Sequence, residues 1–206
     1  MSSGIVGSLA SIFFSYIIDD VRNIVVFAGN DCVKVKEEYY YSLAYELGQQ
    51  LAGKNYQVIT GGGPGLMNEV MRGAYDAGGK TESVCLVVNG REFSKFSHKK
   101  IIYHSLVRRQ TKLISLADGF VALPGGIGTY YEIMAVLAMK RKMEISRQSP
   151  LVLLSDYFNE FEPLIDKMID EGFIGREISA FFKFAASPGE TVNMLEAAFA
   201  GEEQPE

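Results

Sequence analysis

Short apolar runs recur along this chain, and each is followed by a longer stretch whose apolar residues stand three and four apart. The runs are NIVVFAG (23–29), YQVITGGG (56–63), ESVCLVV (82–88), GFVALPGG (119–126) and SPLVLLS (149–155). Strands this continuously apolar are buried on both faces, which requires a sheet covered by helices above and below. The segments 36–55, 66–77, 105–117, 128–142 and 160–173 carry helical spacing. In the first of them Tyr40, Leu43, Ala44, Leu47 and Leu51 form one stripe. SAFFKFAAS (179–187) reads as a last strand, and PGETVNMLEAAFA (188–200) as a last helix with Pro188 in its first turn. Between 89 and 100 the pattern lapses into a polar, Lys-rich connection. The class expected is α/β: a single doubly wound, Rossmann-like domain over 21–200, with a mainly parallel sheet and helices on both faces.

The two ends read differently. IVGSLASIFFSYII (5–18) is apolar but shorter than the ~20 residues that span a bilayer, and no basic residue precedes it as in a signal peptide. It is expected to form an N-terminal helix, within residues 1–20, that packs on the domain or on a second subunit. GEEQPE (201–206) is expected to be a flexible acidic tail. A net charge of −5 without a basic block argues against nucleic acid as a partner. Together these features describe a cytoplasmic protein with no membrane attachment. Cys32 and Cys85 lack CxxC spacing and read as buried thiols. His98 and His104 match no metal motif, so neither a metal nor another cofactor is expected.

Two glycine-rich turns fall where a strand meets a helix, TGGGPG (60–65) and PGGIGT (124–129). In a doubly wound fold, ligands bind beyond the carboxyl ends of the strands. Glycine there lets a ligand approach the backbone, and the free N–H groups of the following helix favour an anion. Neither loop matches GxGxxG or continues into Gly-Lys-Ser/Thr, so a monophosphate suits them better than a dinucleotide or triphosphate. Glu132 lies one turn beyond Thr129 and can face the same pocket. A carboxylate beside an anion site calls for a cation. Arg109, on the preceding helix, can supply it, while Arg108 points about 100° away.

PGGIGTYYE (124–132) matches the PGGxGTxxE motif of the Lonely Guy (LOG) family, phosphoribohydrolases that activate cytokinins and are often labelled "possible lysine decarboxylase". FAGN (27–30), TGGGPGLM (60–67), RGAYDAGGK (72–80), ADGFVALPGG (117–126) and the segment 149–174 also resemble that family, so the likeness runs from about 23 to 195. The family places an arginine fifteen residues before the motif's proline, and Arg109 stands at that spacing from Pro124. The chain departs from the family pattern at Gln110, where lysine is usual, at Leu106-Val107, where Met-His is frequent, and at Asn68, where many relatives have glycine or glutamate.

The resemblance implies hydrolysis of the N-glycosidic bond of a purine nucleoside 5′-monophosphate, with or without an N6 substituent, to free base and ribose 5-phosphate. Glu132 would stabilise the oxocarbenium-like transition state by orienting water or holding a ribose hydroxyl. Arg109 would hold the phosphate or polarise the leaving base. Gly125, Gly126, Gly128 and Thr129 would cradle the 5′-phosphate, and Gly62, Gly63 and Asn30 would add ribose and phosphate contacts. A lysine decarboxylase would need a Schiff-base lysine against pyridoxal phosphate. Only Lys80 and Lys112 come near the loops in sequence, and neither is placed for that role. A nucleotide-binding or carrier protein of the same fold, and an enzyme acting on another sugar phosphate, remain as alternatives. The family also implies a homodimer, for which Tyr130, Tyr131, Met134 and the N-terminal helix are interface material; packing within one chain is the other reading of those residues.

Overall fold

The computed structural model describes residues 21–202. The expected N-terminal helix and the last four residues of the acidic tail lie outside them. Seven strands form one parallel sheet: β1 (Asn23–Phe27), β2 (Gln57–Thr60), β3 (Thr81–Leu86), β4 (Lys99–Tyr103), β5 (Gly119–Ala122), β6 (Leu151–Leu154) and β7 (Lys183–Ala185). Among the described residues six helices connect and cover them: α1 (Lys34–Gly53), α2 (Leu66–Asp76), α3 (Leu106–Ser115), α4 (Ile127–Lys142), α5 (Phe161–Asp170) and α6 (Pro188–Glu202). α6 therefore runs two residues into the segment expected to be a tail.

The strand order is β4-β3-β2-β1-β5-β6-β7. The chain winds outward in one direction through β4, returns to the middle, and winds outward the other way from β5. β1 is the centre, paired with β2 on one side and β5 on the other. Its residues alternate between two cores. Ile24 and Val26 meet Leu47, Leu51, Val70 and Leu195 from α1, α2 and α6. Val25 and Phe27 meet Leu113, Ile133, Val136 and Ile165 from α3, α4 and α5. All four β1 residues are essentially inaccessible to solvent, as a strand covered on both faces must be.

β4 is the strand that periodicity does not reveal. It lies at the sheet edge, its residues are largely exposed, and its charges protect an open edge from pairing with another chain. Lys99 is in register with Glu82 of β3, and its ammonium stands 3.0 Å from that carboxylate. At the other edge the expected strand 179–187 shrinks to β7, because Arg176–Ala180 coils into a 3₁₀ turn. Among the described residues no helix is long and apolar enough to cross a membrane.

One lysine is fully enclosed. Lys140, near the end of α4, donates to the Phe181 carbonyl at 2.9 Å and to the Ser149 carbonyl, tying α4 to the segments that lead into β6 and β7. Burial lowers its pKa from 10.5 to about 8. Between those values the unfolded chain holds a proton that the fold has released, so Lys140 makes stability rise with pH. Urea unfolding at pH 7.5 and 9.5 is expected to show a gain on the order of 1–2 kcal/mol in wild type relative to Lys140→Met. Parallel pH profiles for the two proteins would contradict this.

Candidate active site

A cleft of about 440 Å³ opens above the carboxyl ends of β1, β2, β3 and β5, at the point where the strand order reverses. Its floor is an ion pair. Ser105 caps α3 by accepting from the Arg108 N–H, and the helix then turns Arg108 outward and Arg109 inward. The Arg109 guanidinium donates from Nε to the Val84 carbonyl at 3.0 Å, and from Nη1 to Glu132 Oε1 at 2.5 Å and Gln110 Oε1 at 3.4 Å. Arg109 is 8% exposed and Glu132 7%. Two charges so desolvated persist only because each compensates the other.

The TGGG turn is shaped around that guanidinium. A methyl group on Gly61 would meet Arg109 Nη2 at 1.8 Å, so glycine at 61 leaves the space that the guanidinium occupies. Of the three glycines, Gly62 and Gly63 are the expected ligand contacts, yet Gly61 is the one against Arg109. Gly63 lines the cleft, whereas Gly62 faces Ser83 and Cys85 of β3. Asn30 also lines the cleft, and its Oδ1, next to Gly63, is buried with no hydrogen-bond partner among the described residues. A buried acceptor left open at a cleft suits a ligand hydroxyl.

Across the cleft, Gly126, Gly128 and Thr129 line the N-terminus of α4. Gly125 sits behind them, where a Cβ would strike Thr129 Oγ1 at 2.1 Å and the Gly29 nitrogen at 2.8 Å. The two ends of the cleft meet there, with Gly29 N–H donating to the Pro124 carbonyl at 2.9 Å. The remaining walls include Met67, Leu86, Arg91, Phe93 and Leu106. Arg91 and Phe93 come from the segment that carried no periodic signal, so sequence pattern offered no means of finding them. Among the described residues, no lysine lines this cleft.

Burial pushes the Glu132 carboxyl above its ordinary value, and the Arg109 guanidinium opposes that rise. No hydrogen bond from a described residue reaches Glu132 Oε2, which leaves that oxygen for a ligand hydroxyl or water. Gln110 is buried as well, and its Nε2 has no partner among the described residues.

Residues 67–195 match the family model described as possible lysine decarboxylase, well over half of the chain. The chain belongs to this family. Several curated relatives bear names in the LOG series. It is 30% identical over 179 residues to the rice (Oryza sativa subsp. japonica) protein named probable cytokinin riboside 5′-monophosphate phosphoribohydrolase LOGL6, covering 85% of this chain and 71% of the relative. It is 29% identical to the Arabidopsis thaliana cytokinin riboside 5′-monophosphate phosphoribohydrolase LOG5, covering 85% of this chain and 78% of that one. Among solved structures, the molybdenum cofactor carrier protein of Chlamydomonas reinhardtii superposes with a TM-score of 0.63 at 24% identity, over 87% of this chain and 99% of that one. A likeness that remote shows the fold alone. In this chain the Arg109–Glu132 pair is buried and lines the cleft.

Removing one half of the pair strands the other. Arg109→Met is expected to lower stability by about 3 kcal/mol in urea unfolding, and adding Glu132→Leu to recover more than half of that loss. Equal losses in the single and double variants would show that the pair is not what compensates the buried charge.

Proposed function

We propose that this protein hydrolyses the N-glycosidic bond of a purine nucleoside 5′-monophosphate, N6-modified or not, releasing free base and ribose 5-phosphate. The observation that carries the reading is the buried Arg109–Glu132 pair at the floor of a cleft rimmed by two glycine loops. The names of the curated relatives support it.

The residues account for each requirement of the reaction. The N–H groups at the start of α4, with Gly126, Gly128 and Thr129, offer donors and a favourable dipole to the 5′-phosphate, and Gly125 shapes that turn from behind. The ribose then lies between the loops, near the open Asn30 acceptor and Gly63, with Gly62 supporting that loop from the sheet side. As the bond from C1′ to the base nitrogen breaks, positive charge grows on the sugar. Glu132 Oε2 faces that charge or orients the water that attacks C1′, while Oε1 stays fixed by Arg109. The water oxygen bonds to C1′ and gives up one proton, and the base nitrogen leaves with the electron pair of the broken bond and takes up one proton, so that water is consumed with no net change in protons. Arg109 keeps the carboxylate ionised and presents its remaining N–H groups to the phosphate or the leaving base. Chemistry through pyridoxal phosphate has no support in a cleft that, among the described residues, offers no lysine.

A second reading is favoured by the departures at Leu106, Val107 and Gln110: a nucleotide-binding or carrier protein that keeps the cleft without cleaving its ligand. We further propose a cytoplasmic homodimer. Of the residues expected at its interface, Tyr131 faces outward, while Tyr130 and Met134 pack inward against the core. Ile102, Leu106, Val107 and Ile127 are further apolar residues at least half exposed.

Incubation with AMP and with isopentenyladenosine monophosphate, followed by chromatography of free base, is expected to show release by wild type and a loss of at least about 100-fold in Glu132→Gln. Binding of either nucleotide intact, without release, would favour the carrier reading. Because the carboxylate form is required and burial raises the carboxyl's pKa, activity is expected to fall on acidification at a higher pH than an ordinary glutamate of 4.5 would give. A pH–rate profile for wild type whose acid limb lies at or below that value would contradict a Glu132 carboxyl raised by burial in this role.

A further inference from the structure

The PGG turn contains a peptide that should flip easily. Gly125 and Gly126 flank it, and neither side chain restrains the rotation that exchanges its carbonyl and N–H directions. One orientation offers an N–H to an anion, and the other offers a carbonyl oxygen and repels it. The structure holds one of them from outside the loop. The Tyr157 hydroxyl donates to the Gly125 carbonyl at 2.7 Å. A trans peptide directs its carbonyl and its N–H to opposite sides. With the Gly125 oxygen turned to Tyr157, which does not line the cleft, the Gly126 N–H turns away from Tyr157, and Gly126, Gly128 and Thr129 do line the cleft.

Tyr157 is itself placed at a cost. Ser155, which follows β6, adopts φ 96°, a conformation that residues with a side chain rarely hold. Its backbone N–H donates to the Ala185 carbonyl of β7 at 2.9 Å, and its hydroxyl accepts from the Tyr157 N–H at 3.2 Å and donates to Asp156 Oδ1 at 3.0 Å. The resulting 3₁₀ turn, Asp156–Phe158, buries Phe158 and sends Tyr157 toward the loop. There its ring stands 6.5 Å from that of Tyr130 and edge-on to Phe158 at 5.2 Å. The strained residue, the turn and the aromatic contacts all serve to aim one hydroxyl at the Gly125 carbonyl.

We infer that Tyr157 is a positioning residue for phosphate capture, holding the Gly125–Gly126 peptide with the Gly126 N–H directed into the cleft. It touches no reacting atom, and the inference rests on the nucleotide reading proposed above. The test is calorimetric titration of ribose 5-phosphate into the full chain, wild type and Tyr157→Phe, with steady-state kinetics on the nucleoside monophosphate and thermal melting of both proteins. Phenylalanine keeps the ring and removes only the hydroxyl. The affinity for ribose 5-phosphate is expected to fall about ten-fold and KM to rise by a similar factor, with kcat and the melting midpoint nearly unchanged. Binding of the corresponding nucleoside, which lacks the phosphate, should be equal in the two proteins. Equal affinity of both proteins for ribose 5-phosphate would overturn the inference while leaving the nucleotide reading intact. So would a loss that appears equally with the nucleoside. If wild type itself binds no ribose 5-phosphate, the nucleotide reading fails and this inference falls with it.

Discussion

A guanidinium stays charged at any pH a fold survives, so a chain that buries one must arrange its surroundings to compensate. Arg109 imposes that requirement here. Its Nε needs an acceptor and finds the Val84 carbonyl within β3, and its Nη1 needs a countercharge and finds Glu132 on α4. Its guanidinium needs room and finds it at Gly61, in the turn after β2. Three segments that are distant in sequence are thus registered against one side chain. The point where they converge lies beside the reversal of strand order, where a doubly wound sheet already leaves a crevice.

The same arrangement explains why the cleft is chemically asymmetric. One oxygen of Glu132 is occupied by Arg109, and the other has no partner among the described residues. The carboxylate is therefore fixed in direction and still able to act. On the opposite rim the donors are backbone groups of the α4 N-terminus, which cannot be neutralised by a nearby acid and cost no side-chain entropy to present. A ligand with a phosphate at one end and a developing positive charge near the middle matches that polarity. A ligand of uniform charge does not.

Most of the sheet was legible because burial on both faces leaves a strong apolar signature, as in Asn23–Phe27 and Leu151–Leu154. β4 was not, since an edge strand is selected for charge rather than for burial, and Lys99 and Lys100 hide it. Helical geometry lets only one of Arg108 and Arg109 face inward, and the resemblance to the Lonely Guy family, through its arginine fifteen residues before the motif's proline, picks Arg109. Glycines were harder to apportion. A glycine can be required by φ, by a ligand or by a neighbouring side chain, and sequence does not separate these. Gly62 lies against β3 and Gly61 against Arg109, a distinction that only the three-dimensional contacts supply. Arg91, Phe93 and Tyr157 reach the cleft or its loop from connections without periodicity, so no pattern in the chain could nominate them.

Under the proposed function this cleft, and in particular the start of α4, receives the phosphate of a ribose 5-phosphate group. The most direct measurement is a titration of the ¹⁵N-labelled protein with ribose 5-phosphate, followed through backbone amide resonances. The account predicts that the amides of Gly126, Gly128 and Thr129 shift together and saturate, with Gly61 and Gly63 responding on the facing loop. Saturable shifts confined to another part of the molecule, with these amides unmoved, would contradict it.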